Sequence, residues 1–255
     1  MSYYYRAVSC RFAPIAPLQP LQYNLPHQSR PTMSNSVTAR SVFEHELSEV
    51  RDNLLRLASL LDTAIERALR SLQERDAGLA RQVIGDDAAI NDLRFKVEEE
   101  CLVIIATQQP MAGDLRAVVA AMNVVNDLER MADHATGIAK TVIRMGDEPP
   151  VKSLVDIPRM AALVRDMLRH SLDAFLARDV EAARAIASRD DEIDHLYKAV
   201  FDELLQIMIA DPATVSRATY LLWTAHNLER MGDRVTNIAE RVIFMTTGDM
   251  QELNV

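Results

Sequence analysis

Apolar residues recur every three or four positions along most of the chain, and polar residues fill the places between them. From residue 43 to residue 72 this spacing continues for more than three heptads, and Leu47, Val50, Leu54 and Leu57 are typical members. A period near 3.5 residues indicates an amphipathic helix with a coiled-coil-like buried side. No segment alternates apolar and polar residues over a useful length, so no strand is predicted. The pattern predicts an all-α protein.

Interruptions of this pattern divide the chain into six long helices. The first begins at Phe43, and the glycine-containing segments 76–78 and 85–86 are predicted to be breaks or kinks after it. The next two helices are ended by Pro110 and Gly146, and the last one by Gly248. A break near Ser188 is expected in the fifth. The predicted spans of helices two to six are 87–109, 115–145, 158–177, 180–209 and 213–246.

One segment of the third helix occurs again in the sixth. Residues 128–133 read LERMAD and residues 228–233 read LERMGD, and 11 of the 18 positions from 128 to 145 are identical at this offset of one hundred. Self-similarity at a fixed spacing indicates one structural unit used twice. We therefore predict two tandem three-helix bundles, at 41–148 and 151–248, followed by a tail at 249–255.

Composition limits the classes of function. A chain of 255 residues with 49% apolar residues can bury a sizeable core, and a net charge of −9 argues against nucleic acid as the main partner. Two cysteines do not form a disulfide framework, so we expect a reducing compartment. No apolar stretch approaches the roughly 18 residues that a membrane helix requires, and no membrane insertion is predicted.

The first forty residues differ from the rest. They hold five of the ten prolines, four of the six tyrosines and four arginines, without any aspartate, glutamate or lysine. The five prolines would break a targeting helix, and no apolar signal core is present. We interpret residues 1–40 as a disordered extension, with Met33 as an alternative start of translation.

Each repeat carries a glutamate and an aspartate four residues apart. These pairs are Glu129 with Asp133 and Glu229 with Asp233. Residues at this spacing are neighbours on one helix face, and two like charges there cost roughly 0.2–0.5 kcal/mol. A hard cation bound by carboxylate oxygens would offset this cost. The repeated pairs therefore suggest metal binding.

A second set of pairs precedes these on the neighbouring helices. When Ile90 is aligned with Ile193, Asp87 matches Asp190 and Asn91 matches Asp194. If the two helices of each bundle face each other here, four oxygen-bearing side chains converge, which is a hypothesis because spacing does not fix register. The candidate metal ligands are Asp87, Asn91, Glu129 and Asp133 in the first repeat, and Asp190, Asp194, Glu229 and Asp233 in the second.

Other interpretations compete with metal binding. A single Glu-x-x-x-Asp in a helix is usually a solvated face, and a helical scaffold of chaperone type without metal would show the same pattern. Glu192 and His195 have the Glu-x-x-His spacing of di-iron carboxylate bundles, but such enzymes and iron-storage bundles need this motif twice. No phosphate-binding glycine loop and no nucleophile with its base is visible. We therefore predict that the chain is not an enzyme.

Several segments together resemble the PhoU family. Residues 109–116 read QPMAGDLR, and with 127–133, DLERMAD, they are similar to the first signature of that family. Residues 227–233, NLERMGD, with 237–240, NIAE, look like the second signature. Phe43 with Glu46 and Leu47 is similar to the usual start of these proteins. The resemblance covers residues 41–248 and leaves the N-terminal extension unmatched.

This resemblance implies a cytoplasmic regulator of inorganic phosphate uptake. Members of the family act with the ATPase of the phosphate-specific ABC transporter and with the phosphate-sensing histidine kinase, and restrain both when phosphate is plentiful. The implied fold is two three-helix bundles, often in a homodimer. Family members can bind iron, zinc, manganese or magnesium on their Glu/Asp-x-x-x-Asp stripes. Asn91 departs from the acidic form of that motif, so the resemblance favours the second site over the first.

Overall fold

The computed structural model describes residues 33–253, with side chains from residue 40 onward, and all of its regular elements are helices. The all-α prediction is confirmed for this part of the chain. The helices are α1 (Met33–Glu74), α2 (Ala77–Gln108), α3 (Gly113–Met145), α4 (Asp156–Ala177), α5 (Val180–Ala187), α6 (Asp190–Ala210) and α7 (Val215–Thr247), with a 3₁₀ turn at Pro212–Thr214 before α7.

The predicted start of the second helix and the predicted break at 85–86 were wrong, whereas the predicted breaks at 76–78 and near Ser188 were confirmed. Helix α2 begins ten residues earlier than predicted, because the carboxylate of Asp76 accepts hydrogen bonds from the backbone N–H groups of Gly78 (2.8 Å) and Leu79 (2.9 Å) and caps the helix there. Gly85 lies inside α2, and the helix continues through it without a break. The expected break near Ser188 is present and separates α5 from α6.

The predicted disordered extension, residues 1–40, overlaps the start of α1. Residues 33–40 are helical, which contradicts the prediction for this part, and residues 1–32 lie outside the described part of the chain. Arg40 joins this end of α1 to α3, since its guanidinium lies 2.5 Å from Asp114 and 2.8 Å from Glu44. These ion pairs are exposed and contribute little stability.

One continuous hydrophobic core extends through both repeats. In the first, α1, α2 and α3 pack together, and in the second α4, the pair α5 and α6, and α7 do the same. Leu54, Leu61, Leu128 and Met160 are among the large side chains without measurable exposure. The most extensive contact between helices joins α3 to α7, and α1 also touches α4. The two signature helices therefore lie at the centre of the molecule.

Helices α3 and α7 pack antiparallel to each other, and equivalent residues of the two repeats take part in the contact. The amide of Asn237 on α7 donates to Asp127 on α3 (3.2 Å), and Asn227 on α7 lies 2.9 Å from Nδ1 of His134 on α3. Arg234 lies 3.6 Å from the same carboxylate of Asp127. The residue numbers of these pairs add to nearly the same value, as an antiparallel pair requires. The repeats are thus related by an approximate two-fold axis between α3 and α7.

Candidate functional site

The second repeat brings its four predicted acidic residues together on facing helices. Asp190 begins α6 and is 3% exposed, and it lies where α6 passes closest to α7. A Cβ on Gly232 would lie 2.5 Å from Oδ1 of Asp190 and 2.8 Å from Cδ1 of Ile193. Glycine at position 232 therefore allows the close approach that sets Asp190 beside Glu229 and Asp233.

The carboxylates of this cluster repel one another. Burial, together with the negative charges of Asp233, Asp194 and Asp190, raises the pKa of Glu229 to about 7, while Arg230 acts in the opposite direction. Burial, followed by the charge of Asp233, also raises the pKa of Asp194. Such mutual effects require short separations. We call Asp190, Asp194, Glu229 and Asp233 the second acidic cluster.

Two side chains of α7 contact this cluster. Nδ1 of His226 lies 3.1 Å from Oε2 of Glu229, and a guanidinium N–H of Arg230 donates to Asp233 at 2.6 Å. On α6, the ring of Tyr197 is 5.9 Å from the ring of His226 and 6.5 Å from that of Phe201. A row of aromatic rings, Phe201, Tyr197 and His226, therefore extends from the surface to Glu229.

The first repeat also brings its four candidates together, but their polar atoms are already engaged. The amide of Asn91 donates to Asp87 at 3.0 Å, and the hydroxyl of Thr136 donates to the other oxygen of that carboxylate at 3.3 Å. Burial, then the charge of Asp133, raises the pKa of Glu129, and Asp87 adds to this. We call Asp87, Asn91, Glu129 and Asp133 the first acidic cluster.

An arginine that the sequence analysis missed lies against the first acidic cluster. Arg94 donates to both oxygens of Glu98 at 2.8 and 2.9 Å, and its Nε is 3.9 Å from Oε1 of Glu129. Its guanidinium also lies 3.9 Å above the ring of Phe95. Because of its positive charge, Arg94 opposes the rise in the pKa of Glu129. The i,i+4 spacing of Arg94 and Glu98 was a sequence signal that could have revealed the pair.

The α3–α7 contacts near the two-fold axis were also missed. Asp127 is buried, and this burial raises the pKa of its carboxyl against the effect of Asn237 and Arg234. Burial lowers the pKa of His134 on the other side of the axis. In the sequence, the first repeat has Asp127 and His134 at the positions where the second repeat has Asn227 and Arg234. Paired differences of this kind were the signal for contact across the axis.

The donor atoms fit a hard cation, but their arrangement would have to adjust. Carboxylate oxygens suit magnesium, manganese and similar ions. Among residues 40–253, no three His, Cys, Asp or Glu side chains are arranged so that they could hold a metal ion as they stand. In the second acidic cluster a metal ion would compete with Arg230 for Asp233 and with His226 for Glu229. In the first it would compete with the bonds of Asn91 and Thr136 to Asp87. Metal binding by the eight candidate residues stays a prediction.

The di-metal enzyme interpretation gains nothing from the geometry. Glu192 is engaged with Arg159 at 3.1 Å, on the outside of α6. Four surface grooves, which lie along α4 with α5, α1 with α4, and α1 with α2, are lined by none of the eight candidates. No helix of the described chain is both long and apolar enough to cross a bilayer.

The PhoU domain matches this chain twice. The matched residues are 54–142 and 157–242, and each stretch contains one acidic cluster. A protein of Clostridium acetobutylicum named as a phosphate-specific transport system accessory protein PhoU homolog is 38% identical over 216 residues, which are 84% of this chain and 99% of that one. A protein of the same name from Pseudomonas putida is 39% identical and covers 81% of each chain.

Two solved structures have the same fold. The crystal structure of PhoU from Pseudomonas aeruginosa superposes with a TM-score of 0.78 at 36% identity, and covers 81% of this chain and 100% of that chain. The phosphate transport system regulatory protein PhoU from Streptococcus pneumoniae gives a TM-score of 0.77 at 32% identity, covering 82% of this chain and 99% of the other. The two matched domains, the relatives and the shared fold agree, and this chain therefore belongs to the PhoU family.

Proposed function

We propose that this chain is an accessory regulator of phosphate-specific transport, and not an enzyme. The observation that carries the proposal is the double PhoU domain at residues 54–142 and 157–242 of this chain. Its relatives are named as accessory proteins of that transport system. In this proposal the chain acts in the cytoplasm as a homodimer. It contacts the ATPase of the phosphate ABC transporter and the phosphate-sensing histidine kinase, and restrains both when phosphate is plentiful.

The second acidic cluster supports a role for metal in this regulation. The negative charges of the neighbouring aspartates help to raise the pKa of Glu229 and of Asp194, so a bound cation would relieve this repulsion. Iron, zinc, manganese and magnesium are the candidates. A metal ion at this cluster is thermodynamically linked to a partner that binds α6 and α7, so that each changes the affinity for the other. Asp190, Asp194, Glu229 and Asp233 would hold it.

Partner capture tests the regulatory proposal. The purified chain is immobilised and offered the transporter ATPase and the soluble part of the kinase from the same cell. We expect enrichment of at least one of them over an unrelated helical protein of equal charge. Equal recovery on the two supports would contradict the proposal. Light scattering of the purified chain checks the expected homodimer.

Calorimetric titration tests the metal proposal separately. Mn²⁺, Zn²⁺ and Mg²⁺ are titrated into the wild type, the Glu229→Gln/Asp233→Asn variant and the matched Glu129→Gln/Asp133→Asn variant of the first repeat. We expect the second-repeat change to weaken the tighter binding event by roughly a hundredfold, as loss of two charged ligands costs several kcal/mol. Heats that are equal in all three proteins would remove the ligand assignment.

A further inference from the structure

The surface beside the second acidic cluster contains exposed apolar side chains. On α6, Phe201, Leu205 and Ile209 follow one another at four-residue intervals and are 39%, 40% and 67% exposed. On the adjacent part of α7, Val215 and Trp223 are 43% and 44% exposed. Residues four apart share a helix face, and α6 and α7 are packed against each other. We call these five residues the α6–α7 face.

The aromatic row joins this face to the second acidic cluster. Phe201 belongs to the face, its ring lies 6.5 Å from that of Tyr197, and Tyr197 contacts His226 beside Glu229. Burial, followed by the negative charge of Glu229, raises the pKa of Tyr197. The exposed apolar residues of α6 are therefore connected through Tyr197 and His226 to the carboxylate of Glu229.

The first repeat has a different arrangement at the equivalent positions. With Asp87 aligned to Asp190, Arg94 matches Tyr197 and Glu98 matches Phe201, while Asn126 matches His226. There the guanidinium of Arg94 lies between Glu98 and Glu129, over an aromatic ring. Where Arg94 lies against Glu129 in the first repeat, the second repeat has the ring of Tyr197. The guanidinium of the second acidic cluster, that of Arg230, pairs with Asp233.

We propose that the α6–α7 face docks a basic amphipathic helix of a partner protein, with a lysine or arginine of that helix directed at the second acidic cluster. The apolar side of such a helix covers Phe201, Leu205 and Trp223, in the manner of a helix bound in a groove. Its cation takes the position relative to Glu229 that Arg94 takes relative to Glu129, so the helix and a metal ion compete for the second acidic cluster. The inference rests on the proposed function, because the partner would belong to the uptake or sensing machinery.

Charge selects this occupant over two others. An anionic lipid surface would be repelled by the carboxylates and by the net charge of −9. A second copy of this chain would bring the same negative cluster against its equivalent. A cationic helix complements both the exposed apolar residues and the carboxylates, and opposite charge also accelerates the encounter.

Peptide binding tests the proposal directly. The probe is a fluorescein-labelled 18-residue helical peptide of leucine on one side and lysine on the other, with a second peptide that has glutamate for lysine. The Tyr197→Arg/Phe201→Glu variant introduces the arginine–glutamate pair of the first repeat. We expect the wild type to bind the basic peptide roughly tenfold or more tightly than this variant does, since interface anchors of this kind dominate affinity. The acidic peptide should not bind.

Single substitutions provide the matched control. Leu205 and Leu102 occupy the same position of the two repeats and are both exposed. Leu205→Glu should weaken the basic peptide roughly tenfold, and Leu102→Glu should leave its affinity unchanged. Circular dichroism checks that each variant is folded. If the double variant does not fold, the surface substitution Leu205→Glu still tests the docking proposal.

Several results would overturn the proposal. They are no binding of the basic peptide to the wild type, equal binding to the double variant, equal losses in Leu205→Glu and Leu102→Glu, or equal affinity for the acidic peptide. Binding of phosphatidylglycerol vesicles in place of the peptide would assign the face to lipid. A dimer that Leu205→Glu dissociates would assign it to a second copy.

Capture of the transporter ATPase and the kinase separates this inference from the proposed function. If the wild type captures either partner and the double variant captures it equally well, the docking face is wrong and the regulatory function stands. If neither partner is captured while the peptide result holds, the regulatory function is wrong and the docking face stands.

Discussion

The two repeats have the same helices and the same acidic spacing, yet they treat their carboxylates in opposite ways. In the first, Arg94 neutralises Glu98 and lies near Glu129, and Asn91 and Thr136 bind Asp87. In the second, an aromatic row adjoins the cluster, and Glu229 has a pKa raised to about 7. Duplication preserved the framework of both halves, while a few substitutions placed an arginine beside the glutamate of one cluster and aromatic rings beside that of the other.

Removal of Arg94 should produce the largest change in stability. Arg94→Met leaves Glu98 and Glu129, whose side chains are 23% and 21% exposed, without their nearest cation. We expect a loss of about 2–3 kcal/mol in the free energy of unfolding, less than for a fully buried pair because water screens these groups. Urea denaturation measures it. The matched Tyr197→Met should cost less than half as much, and equal losses would break the comparison between the repeats.

Glu229→Gln should stabilise the metal-free protein. Folding raises the pKa of this carboxyl from 4.5 to about 7, so the folded state binds a proton that the unfolded state has released. The resulting penalty is absent below pH 4.5, grows up to pH 7 and is complete above it. We expect a gain of about 1–2 kcal/mol at pH 8, after allowance for screening.

Urea denaturation with a chelator at pH 5 and pH 8 measures this gain. The control is Glu129→Gln, which should give a smaller gain or a loss because Glu129 has Arg94 nearby. An advantage of Glu229→Gln that is larger at pH 5 than at pH 8 would contradict the assigned direction of the pKa shift.

Gly232→Ala should destabilise the second repeat by about 1 kcal/mol. The new methyl group would meet Asp190 at 2.5 Å and Ile193 at 2.8 Å, which costs about 1–3 kcal/mol of overpacking. Alanine regains about 1 kcal/mol of helix propensity. The first repeat already has Ala132 at this position, buried at 1% exposure. Thermal unfolding measures the change, and a rise in midpoint would show that α6 can move away from α7 without loss.

The smallest effect concerns the core position that Cys101 and Leu204 share in the two repeats. Both side chains have no measurable exposure, and burial, followed by the charges of Glu100 and Glu98, raises the pKa of the Cys101 thiol to about 12. Thiolate is the reactive form. In a Cys10→Ser background, iodoacetamide at pH 8 should therefore leave the folded protein unmodified over hours, as mass spectrometry would show. Rapid alkylation without urea would indicate local opening of the first repeat.

Much of the framework could be predicted, and the misses have local causes. The apolar period gave the helices and the 128–145 repeat gave the duplication, because both depend on residues close in sequence. Gly85 was misread as a break since propensity ignores the buried neighbours Val83 and Ile90, which keep α2 packed on the core. The start of α1 was missed because residues 33–40 have little apolar character of their own.

The sequence by itself determined seven-residue patterns, helix ends and carboxylates four residues apart, since a helix repeats its geometry regardless of its surroundings. Only the tertiary structure decided that α3 and α7 run antiparallel and pair Asp127 with Arg234 and Asn237. It also decided that Arg94 meets one acidic cluster and Tyr197 adjoins the other. Which faces of two helices meet depends on the packing of the whole core, and side chains far apart in sequence acquire their electrostatic roles only through that packing.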